Sequence, residues 1–209
     1  MKAHHFLIAV AAMAAIIAGS NYLVQFPVHV TLGAINLADL LTYAAFTFPV
    51  AFLVTDLTNK LFGAGAARKV VYAGFAIAVI ASIVVASPRI AIASGSAFLI
   101  SQLLDVSIFD RLRAGTWWRA PLVSSILGAV VDTFIFFSFA FSMSLNVLGA
   151  GDEFAQGAAP LLGVLAAEAP RWVSWALGDL AVKVLMALVL LAPYGVLRGA
   201  LERRMATPA

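Results

Sequence analysis

The sequence predicts an all-α membrane protein, a bundle of about six transmembrane helices forming a single domain over residues 1–209, and three observations predict it. The chain is 63% hydrophobic and 11% charged, with a mean hydropathy of +1.02, whereas a soluble domain carries roughly 25% charged residues. Its apolar residues collect into runs at 6–26, 37–57, 70–87, 90–110, 121–145 and 172–197, each near the ~20 residues needed to cross the hydrocarbon. Its lysines and arginines gather in alternate connections, as they do when one side of the membrane is cytoplasmic. Lipid gives the backbone no hydrogen-bond partners, so runs of this length are expected as helices rather than open strands.

The first run follows Lys2, His4 and His5 and resembles a secretory leader over Phe6–Ala18. The polar cluster Asn21, Tyr22 and Gln25 extends the helix beyond any cleavage point, which favours a retained first span. Ala11, Ala15 and Gly19 place small residues four apart, the spacing that lets a second helix approach closely, from this chain or from a second copy in a homodimer. The connection from Phe26 to Asn36 is too apolar for a freely solvated loop and is expected to fold against the outer face. The second run ends in Asp56, Asn59 and Lys60, where capping or a surface ion pair is the default role.

Arg89 stands between the third and fourth runs, placed either to snorkel to headgroups or to attract an anion or substrate. Gln102 and Asp105 are three apart on one face of the fourth, and Asn21 and Gln25 form a comparable stripe on the first. Trp117 and Trp118 precede the fifth run and Trp172 opens the sixth, the positions of an interfacial aromatic belt. Between those runs lies a Gly- and Ala-rich connection at about 146–171, where a short interfacial helix has no fixed place.

Charge inside a bilayer costs at least ~2.5–3.5 kcal/mol, so buried acids and amines need partners or a wet cavity. Asp132, in the middle of the fifth run among Val131, Thr133 and Phe134, is the costliest residue of the chain. Asp179 and Lys183 lie four apart in the sixth, on one helical face with the acid nearer the N-terminus, and Trp175 is one turn earlier. An internal ion pair and a ligand contact account for this pair equally well. Polar residues distributed over five of the six runs exceed what helix packing needs, and a polar cavity between the helices is their simplest common cause.

With the N-terminus inside, Lys2, Lys60, Arg68, Lys69, Arg111, Arg113, Arg119, Arg198, Arg203 and Arg204 fall on the cytoplasmic side, and only Arg89 and Arg171 outside. Both termini are therefore expected in the cytoplasm. The absence of cysteine excludes disulfides, thiolate metal sites and cysteine nucleophiles. No Walker, H-E-x-x-H or G-x-S-x-G motif is present. Neither an enzyme, a cofactor nor a nucleic-acid partner is expected, the basic residues reading as topology signals. Asp132 and Asp179 invite comparison with an intramembrane aspartyl protease, but Ala176 replaces the first glycine of its Gly-x-Gly-Asp pattern and Val131 its tyrosine.

The strings GSNYLVQFPV at 19–28, FPVAFLVTDLTNKLFGAGAARK at 48–69, RIAIASGSAFLISQLLDVSIFDRLR at 89–113, WWRAPLVSSILGAVVDTFIFF at 117–137 and KVLMALVLLAPYGVL at 183–197 closely resemble the queuosine precursor transporter family. The resemblance implies a multi-pass bacterial inner-membrane importer of 7-deazaguanine bases, the cyano and aminomethyl precursors of queuosine. Asn21, Gln25, Asp56, Arg89, Gln102, Asp105, Asp132 and Lys183 all stand in the matching strings.

A guanine-like base offers paired N–H donors to a carboxylate and a carbonyl to an amide or amine. Asp132, Gln102 and Asp105 are accordingly the expected substrate contacts, with Trp175 or Phe136 stacking on the ring. A substrate-binding subunit of an ATPase-driven vitamin importer is the competing transport reading, for which the hydrolysing subunits would lie on other chains.

Overall fold

The computed structural model describes residues 1–85 and 87–206. The chain is mostly helical: α1 (Ala3–Leu23), α2 (Ala44–Thr47), α3 (Val50–Phe62), α4 (Ala64–Val85), α5 (Pro88–Leu112), α6 (Arg119–Phe141), α7 (Glu153–Gln156), α8 (Arg171–Val189) and α9 (Leu191–Ala206). Among the described residues four helical stretches are long and apolar enough to cross a membrane: α1, α5, α6, and α8 with α9 over Arg171–Arg204. With several such helices, this is a multi-pass membrane protein.

The apolar run at 37–57 does not fold as one straight helix. It begins as a 3-10 turn over Leu37–Asp39, capped by Asn36, whose side chain accepts from Ala38 N at 3.2 Å. Backbone bonds from Val28 N to Leu41 O and from Tyr43 N to Phe26 O then tie this stretch to the end of α1. Helix starts only at Ala44, and Pro49 interrupts it. Proline has no N–H, and the bonds around it shorten to the three-residue type, Ala51 N to Phe48 O and Phe52 N to Pro49 O. The connection at 26–36 meanwhile closes as a small hairpin, β1 (Thr31–Leu32) against β2 (Ile35–Asn36), turning at Gly33 with φ +61°.

The long connection before α8 is also built rather than loose. After a 3-10 stretch over Met143–Leu148 and the single turn of α7, β3 (Ala158–Pro160) pairs antiparallel with β4 (Glu168–Pro170). Ser174 of α8 holds the tip of this hairpin by accepting from Leu162 N at 2.9 Å.

Helices pack through small residues and a compact apolar core of Met13, Ile17, Ala51, Ala67, Val70, Val71, Phe98 and Val106. The inward face of α1 is Met13, Ile17 and Ser20, at helical spacing. Ala11 and Ala15 of the small-residue stripe are exposed, and Gly19 has open space around it. Gly63, with φ +85°, makes the tight reversal from α3 to α4 in a conformation that other residues reach only with strain.

Gly128 of α6 packs against Phe52 of α3, and a Cβ there would lie 2.8 Å from the Phe52 ring. Gly128→Ala is accordingly expected to lower stability by about 1–3 kcal/mol, the usual cost of overpacking. A lowered thermal midpoint of the detergent-extracted protein is the reading expected, and an unchanged midpoint would show that Phe52 has room to swing away.

Candidate functional site

Three charged side chains meet inside the bundle. On α8 the four-residue spacing brings Lys183 Nζ to 2.5 Å from Asp179 Oδ2. Across the helix interface the same nitrogen lies 2.6 Å from Asp132 Oδ2 of α6. Thr133 joins the cluster by donating to Asp179 at 2.7 Å and accepting from Lys183 at 3.2 Å, while Ser101 of α5 donates to Asp132 Oδ1 at 3.3 Å. The ammonium is recessed, at 6% exposure, whereas the Asp132 and Asp179 side chains are 22% and 16% exposed. One cation between two carboxylates leaves a negative charge in excess, and that excess faces open space.

The open space is a cavity of about 780 Å³ bordered by α2, α5, α6, α8, the stretch Ala38–Thr42 and the hairpin that precedes α8, within the roughly 300–1,000 Å³ of small-molecule sites. Asp132, Asp179 and Lys183 lie on its wall together with Ser94, Ala97, Phe98 and Ser174. Above them stand Phe136, Phe137 and Phe141 of α6, Trp175 of α8 and Phe154 of α7. Phe141 meets Trp175 edge-on with ring centroids 5.5 Å apart, and Phe154 lies 6.2 Å from Trp175 on another side. Trp175 is held in place by its Nε1, which donates to Asp39 O at 3.0 Å. The Arg171 guanidinium sits over the Phe154 ring at 4.4 Å. The cavity thus joins an acidic wall to an aromatic one, which suits a flat molecule rich in N–H donors.

A separate polar cluster is buried between α3, α5 and α6, outside this cavity. Asp56, Gln102 and Asp105 are each at most 2% exposed. Thr55 Oγ1 lies 3.0 Å from Gln102 Oε1 and 3.4 Å from Asp105 Oδ2. Ser124 and Ser125 approach the two Asp56 oxygens at 3.4 and 3.5 Å.

This helical architecture and its charged cavity can be set beside known proteins. The sequence model of a family described as "Putative vitamin uptake transporter" matches residues 42–87 and 82–197. The "Queuosine precursor transporter" of Escherichia coli K12 is 37% identical over 213 residues, an alignment covering 91% of this chain and 85% of the relative. The "Probable queuosine precursor transporter" of Haemophilus influenzae is 36% identical over 218 residues, with the same shares covered. The chain belongs to the queuosine precursor transporter family. No solved structure matches it.

Within this transporter the residues singled out from the sequence separate into groups. Asp132, Asp179, Lys183 and Trp175 come together on the cavity wall. Gln102, Asp105 and Asp56 do not; they form the second cluster behind it. Asn21 and Gln25 stand at the end of α1 on either side of Val24, which does reach the cavity.

Arg89 is 4% exposed and neither snorkels to headgroups nor reaches the cavity. Its guanidinium donates to Phe139 O, Ser142 O, Gly149 O and Asn146 Oδ1 at 2.5–3.2 Å, closing the C-terminus of α6 onto the following loop. Phe139 O is one of the last carbonyls of α6, which have no partner within the helix.

A lysine between Asp132 and Asp179 also replaces the shared proton on which an aspartyl protease pair depends. Sequence reasoning passed over Phe137, Phe141, Phe154, Arg171 and Asp39 as cavity residues. Phe154 and Arg171 belong to or border the irregular connection, where no periodicity marks a face, and Asp39 lies where a straight helix was expected.

Proposed function

We propose that this chain imports queuosine precursors, 7-cyano-7-deazaguanine and 7-aminomethyl-7-deazaguanine, across the bacterial inner membrane by alternating access. The observation that carries the reading is the cavity lined by Asp132 and Asp179 with Trp175 one helical turn from Asp179 on α8. The pyrimidine edge of a deazaguanine presents two parallel N–H groups, which one carboxylate accepts as a pair. Asp132 takes that role, the ring stacks against Trp175 or Phe136, and Lys183 donates to the base carbonyl. The second carboxylate, Asp179, is then free for the cationic arm of the aminomethyl base. The surplus negative charge of the trio favours that form over the neutral cyano one.

The same reading assigns six spans, α2 with α3 forming the second and α8 with α9 the sixth, with both termini cytoplasmic as the lysine and arginine distribution requires. The hairpins at 31–36 and 158–170 then lie outside, and the cavity that the second of them borders opens toward the periplasm to receive substrate. Uptake of labelled 7-cyano-7-deazaguanine by cells that lack both its synthesis and their own carrier tests the proposal. Saturable uptake above the empty-vector level is expected. Vector-level uptake from a well-expressed, membrane-inserted protein would defeat it.

A further inference from the structure

We propose that Asp56 and Asp105 form a proton-binding pair that couples import to the proton gradient. The inference rests on the transport reading for its consequence, but the pair itself is a feature of the fold. The two carboxyls face each other across the α3–α5 interface, with Ser124 of α6 beside both. Asp105 is fully buried and Asp56 2% exposed. Among the described residues the ion pairs are Arg113–Asp110, Lys183–Asp132, Lys183–Asp179 and Arg198–Glu202, so neither member of the pair has a cation of its own. Two ionised carboxylates in contact, without a cation and with room beside them for about one water molecule, are costly, and a shared proton removes the repulsion and the burial cost of one of the two charges.

The hydrogen-bond pattern asks for that proton. Asp105 Oδ1 and Asn59 Oδ1 are buried acceptors with no donor. The Thr55 hydroxyl has a single hydrogen for four acceptors, Ala51 O, Phe52 O, Gln102 Oε1 and Asp105 Oδ2, at 2.9–3.4 Å. Buried polar atoms of native proteins are rarely left unpaired. A proton on Asp105 makes the carboxyl a donor and converts one of these acceptor–acceptor approaches into a bond.

A second observation connects the pair to the substrate cavity. Asp56 lines a small internal pocket of about 10 Å³ with Ser125, Lys183 of α8 and Tyr194 of α9, room for about one water molecule. Lys183 therefore borders this pocket on one side and the large cavity on the other. Tyr194 lies near Arg198 and Glu202, which pair with each other at 3.0 Å. The basic residues of α4, Arg68 and Lys69, are exposed.

With the pair protonated, Lys183 is held by Asp132 and Asp179. When the pair opens to cytoplasmic water, which lowers the cost of a second charge, the shared proton leaves, and the ionised Asp56 competes for the same ammonium and loosens the Lys183 link between α8 and α6. One proton is taken up outside and one released inside per cycle, with no other bond made or broken.

Two measurements test this. In proteoliposomes with the membrane potential clamped at zero, an interior one pH unit more alkaline should drive about tenfold accumulation of tritiated 7-cyano-7-deazaguanine, the ratio set by one proton per base at 1.36 kcal/mol per unit. Asp56→Asn and Asp105→Asn should let the base equilibrate without accumulating.

Substrate-free wild-type protein in lipid should show the infrared carbonyl stretch of a protonated carboxyl, lost on raising the pH and absent from the double variant. Accumulation driven by sodium alone, accumulation indifferent to any gradient, single variants that accumulate tenfold, or a missing carbonyl band would each overturn the proposal. If labelled base fails to exchange into wild-type vesicles, the transport reading falls, and the infrared band still decides the protonated pair.

Discussion

Replacing Lys183 by methionine is expected to cost about 3–5 kcal/mol of stability, because it leaves Asp132 and Asp179 facing each other inside the bundle without their common cation. The ammonium is nearly inaccessible and makes its two shortest contacts with these oxygens, at 2.6 and 2.5 Å. Methionine preserves the length and apolar character of the stem and removes only the charge, so packing loss does not confuse the result. Partial exposure of the two carboxylates to the cavity places the effect toward the lower end of the range.

A reduced yield of monodisperse protein and a lower thermal midpoint in detergent are the expected readings. The triple variant Lys183→Met, Asp132→Asn, Asp179→Asn should recover the stability by abolishing all three charges together, yet should not import. A Lys183→Met protein as stable as wild type would mean that the trio is not the ion cluster described.

Asp132→Ala is expected to abolish import at unchanged expression. Hydrogen bonds to a charged group contribute about 1.5–3 kcal/mol each, so loss of the paired bonds to a deazaguanine edge reduces affinity on the order of a hundredfold or more. Lys183 keeps Asp179 as its partner in this variant, so the ion cluster loses its excess negative charge and is left as a neutral pair. The measurement is the initial rate of labelled uptake, normalised to membrane abundance. Normal import by Asp132→Ala at wild-type abundance would remove Asp132 from the substrate path.

The sequence made the interior of this protein legible wherever two partners share a helix. Asp179 and Lys183 declare their contact by a four-residue spacing, and the apolar run around Asp132 already marks it as a charge in need of a partner. That its partner is Lys183 depends on how α6 packs against α8, and periodicity along one helix carries no information about the next.

The same limit separated Asp56 and Asp105 from their cluster. Each looks like an isolated polar residue in its own segment, Asp56 near a helix end and Asp105 beside Gln102, and only the α3–α5 interface brings them together. Arg89 reads from the sequence as a charge between two runs, placed to snorkel or to attract an anion or substrate, because its four acceptors lie 50 to 60 residues further along. The run at 37–57 misled by its composition. Its apolar residues Leu40, Leu41, Ala44, Ala45 and Phe48 line the cavity, a use that demands hydrophobicity as strongly as lipid does and leaves the backbone free to bend at Pro49.

The claim on which the account turns is that a 7-deazaguanine base binds between the Asp132–Asp179 carboxylates and Trp175. Isothermal titration calorimetry on protein in lipid nanodiscs tests it most directly, using the aminomethyl and cyano bases separately against wild type and Asp132→Ala. The account predicts one base per chain, tighter binding of the cationic aminomethyl form at neutral pH, and a loss on the order of a hundredfold or more in the variant. No heat of binding with either base, or equal affinity in wild type and Asp132→Ala, would contradict it.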